Sequence, residues 1–98
     1  MRVVYSRRAL AQLHEIITQI AAENRSAAAA FGARVETFTN LAARHPMIGR
    51  QTDLERVRVF PLKLYPYLLF YRIWDHGEGV AVLRIRHDAK GEDWKRGR

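Results

Sequence analysis

The spacing of the hydrophobic residues changes once along this chain, and that change limits the possible fold more than any other feature. Before Leu54 they recur about every three to four residues, as on one face of an α-helix; after it they alternate, as in a β-strand. Runs of helices and strands that follow one another in this way favour an α+β domain. A chain of 98 residues is expected to form one domain, which we assign to residues 1–94, with 95–98 as a basic tail.

The first half predicts a strand and two helices. Residues 2–5 are short and β-branched, which is typical of a strand. Ser6 and Ser26 are each expected to cap a helix, because a serine oxygen can accept a hydrogen bond from a free first-turn amide. The predicted inner faces are Leu10, Leu13, Ile16, Ile17 and Ile20 in the first helix and Phe31, Val35, Phe38, Leu41 and Ala42 in the second. His45-Pro46 ends the second helix.

The second half predicts three strands, at residues 55–60, 65–74 and 79–86. Residues 75–79 (DHGEG) are expected to form a hairpin turn between the last two. The predicted order is therefore β-α-α-β-β-β. In this arrangement a helical hairpin packs on one face of a small antiparallel sheet.

The pairing of the last two strands decides which side chains share a face. With a turn at 75–79, Phe70 lies opposite Arg84 and Arg72 opposite Val82, and opposed residues share a face. The core side is then predicted to hold Tyr67, Leu69, Tyr71, Ile73, Ala81, Leu83, Ile85 and His87. The other side is predicted to hold Leu68, Phe70, Arg72, Trp74, Arg84 and Arg86, joined by Arg56 and Arg58 of the preceding strand.

The charge of the chain indicates an anionic partner for that second side. The formal net charge is +7, and 14 of the 17 basic residues are arginines. A guanidinium group binds phosphate or carboxylate through two parallel hydrogen bonds. An apolar floor rimmed by arginines suits either a nucleic acid or an amphipathic acidic peptide, and the residues leave both open.

Several kinds of chemistry are not expected. The chain has no cysteine, which excludes disulfides and thiolate zinc sites. Its 4 histidines lie on separate elements without metal-ligand spacing, so neither a metal nor a cofactor is predicted. No stretch approaches the roughly 18 apolar residues of a membrane span. We therefore expect a cytoplasmic protein with no membrane partner.

Three phrases of the sequence resemble the RelE/ParE superfamily of bacterial type II toxin–antitoxin toxins, nearest to its ParE branch. They are HPMIGR after the second helix, RVRVFPLKLYPYLLFYRI through the central strands, and VLRIRHDAKGEDW at the end. The resemblance covers residues 1–94, with residues 88–91 departing from the shorter glycine-arginine turn of the family. It implies a growth-arresting toxin neutralised by a ParD-like ribbon-helix-helix antitoxin. The acidic C-terminal segment of that antitoxin would wrap the toxin in a hetero-oligomer.

The resemblance leaves the target of the toxin open. ParE-like members imply inhibition of DNA gyrase without hydrolysis, which is our favoured interpretation. RelE-like members imply a ribosome-dependent mRNA endoribonuclease, in which His87 would transfer protons while Arg72, Arg84 and Arg86 stabilise the phosphate. The charge alone would also fit a non-toxic nucleic-acid-binding module.

Overall fold

A computed structural model describes residues 2–62, 65–74 and 79–88. Within them the elements are β1 (Arg2–Tyr5), α1 (Arg7–Glu23), α2 (Arg25–Arg44), a 3₁₀ turn (Pro46–Ile48), β2 (Arg50–Gln51), β3 (Val57–Leu62), β4 (Tyr67–Trp74) and β5 (Gly79–His87). The predicted α+β class and element order are confirmed. The short β2 lies between the second helix and the strand predicted at 55–60, where the sequence predicts no strand.

The strands form one five-stranded sheet in the order β1-β5-β4-β3-β2. The three pairs formed by β2 to β5 are antiparallel, but β1 runs parallel to β5, with Val3 opposite Val80. The prediction of a wholly antiparallel sheet is therefore wrong, and the sheet is mixed. Because the strands from β2 to β5 alternate in direction, β1 runs in the same direction as β3 and β5 and opposite to β2 and β4.

The start of each helix is fixed by one polar side chain. Ser6 caps α1 as predicted, and its Oγ accepts a hydrogen bond from the N–H of Ala9 over 3.0 Å. The cap of α2 is Asn24, whose Oδ1 accepts from Ala27 N–H over 3.0 Å. The prediction that Ser26 caps this helix is wrong, because Asn24 supplies the oxygen one residue before the helix begins.

The helices pack on one face of the sheet, as predicted. The main core cluster joins Ala9, Ile16, Phe31, Val35, Phe38 and Ala42 of the helices to Leu62, Leu69, Tyr71, Val80, Val82 and Ile85 of the sheet. Leu10 was predicted to belong to this core but is 52% exposed. Its neighbour Ala9 is fully buried instead, because the helix turns a small residue toward the sheet where the two elements meet.

A β-bulge in β5 interrupts the predicted pairing. Phe70 lies opposite Arg84 as expected, but Tyr71 lies opposite Val82, so Leu83 is the extra residue. The bulge turns Val80 and Val82 into the core, where both are fully buried. The prediction that Ala81 and Leu83 fill those positions is therefore wrong. It failed because regular alternation does not extend through a bulge.

Two predictions fall on parts of the chain that the structure does not describe. The turn at 75–79 lies almost wholly outside the described residues, and so does the boundary between 1–94 and the tail 95–98. Neither described helix combines the length and apolar character that crossing a membrane requires.

Candidate functional site

The face of the sheet turned away from the helices, called the outer face below, gathers cationic and apolar side chains. Strand pairing assigns its described members, because directly opposed residues share a face. They are Arg2 and Val4 of β1, Arg50 of β2, Val57, Val59 and Pro61 of β3, Leu68, Phe70, Arg72 and Trp74 of β4, and Gly79, Ala81, Arg84 and Arg86 of β5. The predicted placement of Leu68, Phe70, Arg72, Trp74, Arg84 and Arg86 on this face is confirmed.

Two arginines of the outer face stack on one aromatic ring. The guanidinium carbons of Arg84 and Arg86 lie 5.7 Å and 5.4 Å from the centroid of the Phe70 ring. Each such cation–π contact contributes about 0.5–1 kcal/mol. The Nε atoms of both arginines are buried without a hydrogen-bond partner, so their terminal nitrogens are the groups left to bind an anion.

The first turn of α1, which carries Arg8, lies beside Arg84, because Ser6 donates hydrogen bonds from its N–H to the carbonyl of Val82 over 2.9 Å and from its Oγ to the carbonyl of Leu83 over 2.8 Å. Burial lowers the pKa of Arg84, and the neighbouring charges of Arg8 and Arg86 lower it further. An arginine nevertheless stays protonated at neutral pH. Within the described part of the chain, none of these three arginines makes an ion pair. The corner of the outer face beside α1 is therefore strongly cationic.

The apolar floor beneath the arginines is closed, which the sequence did not predict. Leu68 and Val59 are both fully buried and form a small cluster with Phe70 on the outer face. The ring of Trp74 lies directly over Gly79, where an added Cβ would be 2.2 Å from the ring atoms. An incoming partner therefore meets guanidinium groups first, and Leu68 does not form an open apolar anchor point.

Arg58 and Arg56 do not join the outer face, so their predicted placement is wrong. Arg58 lies opposite Tyr71 and shares the helix side of the sheet, where its Nη1 donates to the carbonyl of Gly49 over 2.7 Å. Phe60 and Leu62 pack into the core, which fixes the alternation of β3 and sends Arg58 to the same side. Arg56 precedes β3 and has φ 65°, so strand alternation does not apply to it.

His87 lies on the helix side of the sheet, on the opposite face of β5 from Arg84. It lies opposite Tyr67 on the helix side, and the two rings meet edge to face with centroids 5.3 Å apart. The predicted position of His87 on the core side is confirmed. It lines a shallow cavity of about 370 Å³ against α1, together with Gln12, Glu15, Ile16, Gln19, Tyr67, Ile85 and Arg86. No group of three or more metal-ligating side chains occurs in the described residues.

Sequence reasoning missed Arg8 as a neighbour of the outer face. The available indication was that Arg7 and Arg8 occupy the first turn of α1 without an acidic residue, although a helix start disfavours cations. It also missed a cavity of about 350 Å³ that is lined by Met47, Gln51, Glu55, Arg56, Val57, Arg58 and Ile73. Met47 is 67% exposed there.

Comparisons with known proteins agree on one family and one fold. The family model described as the ParE toxin of the type II toxin–antitoxin system parDE matches residues 3–91. Y4kP of Sinorhizobium fredii, a protein named as a candidate toxin, is 33% identical over 86 residues, which cover 88% of this chain and 86% of the relative.

Two solved structures share the fold. A chain of the chromosomal ParDE system of P. aeruginosa matches with a TM-score of 0.73 at 20% identity, over 89% of this chain and 95% of that one. A chain of the intact E. coli RelBE toxin–antitoxin complex matches with a TM-score of 0.65 at 15% identity, over 88% of this chain and 94% of that one.

Proposed function

The chain belongs to the family of ParE toxins of type II toxin–antitoxin systems, and from this membership we propose that it arrests growth by inhibiting DNA gyrase without cutting nucleic acid. The observation that carries this proposal is that His87 packs against Tyr67 on the helix side of the sheet, on the opposite face of β5 from Arg84. The described side chains of the outer face are arginines and apolar groups, and none of them exchanges a proton readily near neutral pH.

This position of His87 argues against the ribonuclease alternative. Cleavage of RNA by its own 2′-hydroxyl needs a proton acceptor within hydrogen-bond reach of the phosphate that the cations stabilise. The ring of His87 packs against Tyr67 on the helix side, so it does not face a phosphate held by Arg84 on the outer face; of the outer-face arginines in the described residues, Arg86 alone borders the same cavity as His87. A cationic surface without such an acceptor suits a toxin that acts by binding.

The gyrase hypothesis is tested by adding the purified chain to a supercoiling reaction with relaxed plasmid and ATP. We expect supercoiling to be inhibited and cleaved plasmid to accumulate, and induction in cells to break DNA while leaving messages intact. Codon-phased cuts in messenger RNA, together with normal supercoiling, would contradict the gyrase hypothesis and support ribosome-dependent RNA cleavage.

Neutralisation by a ParD-like antitoxin is the second part of the proposal. The outer face bears Arg72, Arg84 and Arg86 without an acidic residue among its described members, and the chain carries a net charge of +7. The acidic C-terminal segment of a ribbon-helix-helix antitoxin would complement this charge and cover the face in a hetero-oligomer. Because Leu68 is buried, the affinity at this face comes from charge pairs more than from apolar anchors.

The antitoxin hypothesis is tested by co-expressing the chain with its antitoxin, either intact or without the acidic segment. We expect only the intact antitoxin to co-purify with the toxin and to restore growth. If the truncated antitoxin binds the toxin fully and restores growth, the outer face is not the surface through which the toxin is neutralised.

A further inference from the structure

Arg84 and Arg86 of the outer face lie beside the first turn of α1, which carries Arg8 and is held to β5 by the hydrogen bonds of Ser6 to the carbonyls of Val82 and Leu83. Each of the three arginines is placed at an energetic disadvantage. Arg84 and Arg86 stack on the same ring, so two like charges lie close together. Arg8 stands in the first turn of α1, at the positive end of the helix dipole, and its charge acts on Arg84. A bound anion would relieve all three conflicts at once.

The position of the guanidinium groups of Arg84 and Arg86 favours contact with a planar or tetrahedral oxyanion. Both are stacked on Phe70, and both Nε atoms are covered. Stacking limits the motion of the side chains, so less conformational entropy is lost when their terminal nitrogens bind a ligand. Arg8 is exposed and contributes the third charge from the side of α1.

In a toxin that its antitoxin does not cover, the closed apolar floor favours a nucleic-acid backbone over a peptide that binds through apolar anchors. An amphipathic peptide gains affinity by inserting apolar side chains, but Leu68 and Val59 are fully buried and two guanidinium groups cover Phe70. Duplex DNA needs no apolar anchor, since its backbone offers one negative charge per about 1.7 Å along the axis. Several phosphates therefore lie within reach of three arginines.

We propose that Arg8, Arg84 and Arg86 form a phosphate-binding corner that holds the backbone of duplex DNA, with Arg8 as a contact residue. This inference rests on the proposed action on gyrase, an enzyme that works on DNA, and assigns the chain a direct contact to that DNA. We expect the contact to be independent of the DNA sequence, because phosphate contacts carry no information about the bases.

The experiment measures the binding of a short fluorescein-labelled DNA duplex to the purified full-length chain by anisotropy across a salt series. The test variant is Arg8→Gln. Its matched control is Arg7→Gln, which removes the same charge from the neighbouring exposed position of the same helical turn. Both positions are on the surface, so both variants are expected to fold.

For Arg8→Gln we expect about tenfold weaker binding at low salt, as for the loss of one charge-assisted contact. We also expect the slope of log affinity against log salt to fall by about 1. Arg7→Gln is expected to change neither value appreciably. Equal losses in the two variants, or no loss in either, would overturn the corner as a defined site.

Two further measurements separate this inference from the proposed function. If the wild-type chain inhibits gyrase and Arg8→Gln binds DNA normally, the proposed phosphate-binding corner is wrong, while the proposed inhibition of gyrase is retained. If DNA binding depends on Arg8 but gyrase is unaffected, the proposed target is wrong while the phosphate contact stands. If Arg8→Gln weakens only the binding of the antitoxin, the ligand of the corner is an acidic peptide and the inference is overturned.

Discussion

The hydroxyl of Tyr71 accepts a hydrogen bond from the backbone N–H of Gly49 over 2.7 Å. The same hydroxyl donates to the carbonyl of Pro46, also over 2.7 Å. Arg58 donates to the carbonyl of Gly49 from the neighbouring strand. Two side chains of the sheet thus hold the loop after α2, and the close approach of Tyr71 explains why a glycine stands at position 49 in the phrase HPMIGR.

Replacing Tyr71 by phenylalanine is expected to lower the free energy of unfolding by about 1–3 kcal/mol, because the N–H of buried Gly49 then loses its partner. Denaturant titration measures the effect. Tyr65→Phe is the matched control, since the hydroxyl of half-buried Tyr65 makes no hydrogen bond in the described structure. Similar losses in both variants would show that the Tyr71 hydroxyl does not hold the loop.

The stabilisation by Tyr71 is expected to weaken at alkaline pH. Burial raises the pKa of Tyr71 above its ordinary value of 10.0, although the Gly49 hydrogen bond and Arg58 partly oppose the shift. A raised pKa in the folded state means that the contribution is complete below about pH 10 and is lost as the pH rises through the folded value. The stability difference between wild type and Tyr71→Phe should therefore narrow above about pH 10 in urea titrations. A constant difference across that range would contradict the raised pKa.

Gly49→Ala is expected to destabilise the protein by about 1–3 kcal/mol through overpacking. A Cβ at this position would lie 2.7 Å from the ring and hydroxyl of Tyr71 and 3.0 Å from the carbonyl of Val59. Gly32→Ala is the contrasting variant. Its Cβ would meet only Ile17, at 4.0 Å, so a gain of about 1 kcal/mol in helix stability is expected. Thermal unfolding of both variants checks the two signs, and a stabilised Gly49→Ala would disprove the close approach.

Ser6→Ala is expected to cost about 1–2 kcal/mol, because Ser6 Oγ both accepts from Ala9 N–H and donates to the carbonyl of Leu83 over 2.8 Å. Ser26→Ala should leave stability unchanged or slightly raised, since Ser26 lies inside α2 and is exposed. The midpoints of urea unfolding distinguish the two. A larger loss at Ser26 would restore it as the cap of α2.

His87→Ala is expected to leave growth arrest intact. The ring lies on the helix side against Tyr67, on the opposite face of β5 from Arg84, and it is exposed. Growth after induction without antitoxin measures the effect, with soluble expression as the control for folding. A folded His87→Ala variant that no longer arrests growth would place this histidine in the mechanism.

The spacing of hydrophobic residues predicted the buried face of an element correctly where that spacing is regular along the whole element. The prediction that Arg84 and Arg86 lie beside Phe70 is correct, because the buried residues Leu69 and Ile85 occupy the opposite, core-facing side of the same strands. The element order followed from the single change of hydrophobic period. The inner face of α2 was predicted correctly at Phe31, Val35, Phe38 and Ala42, since these residues recur every three to four positions and so share one side of the helix.

The sequence by itself determined which segments are helices and strands and that two arginines of the last strand face away from the helices. Only the tertiary structure decided the parallel pairing of β1, the bulge at Leu83, the turn of Arg58 toward the loop carbonyls and the position of the first turn of α1 beside Arg84. Each of these depends on contacts between residues far apart in the chain. Hydrophobic spacing within one segment carries no information about them, because it records which side of an element is buried and not which partner buries it.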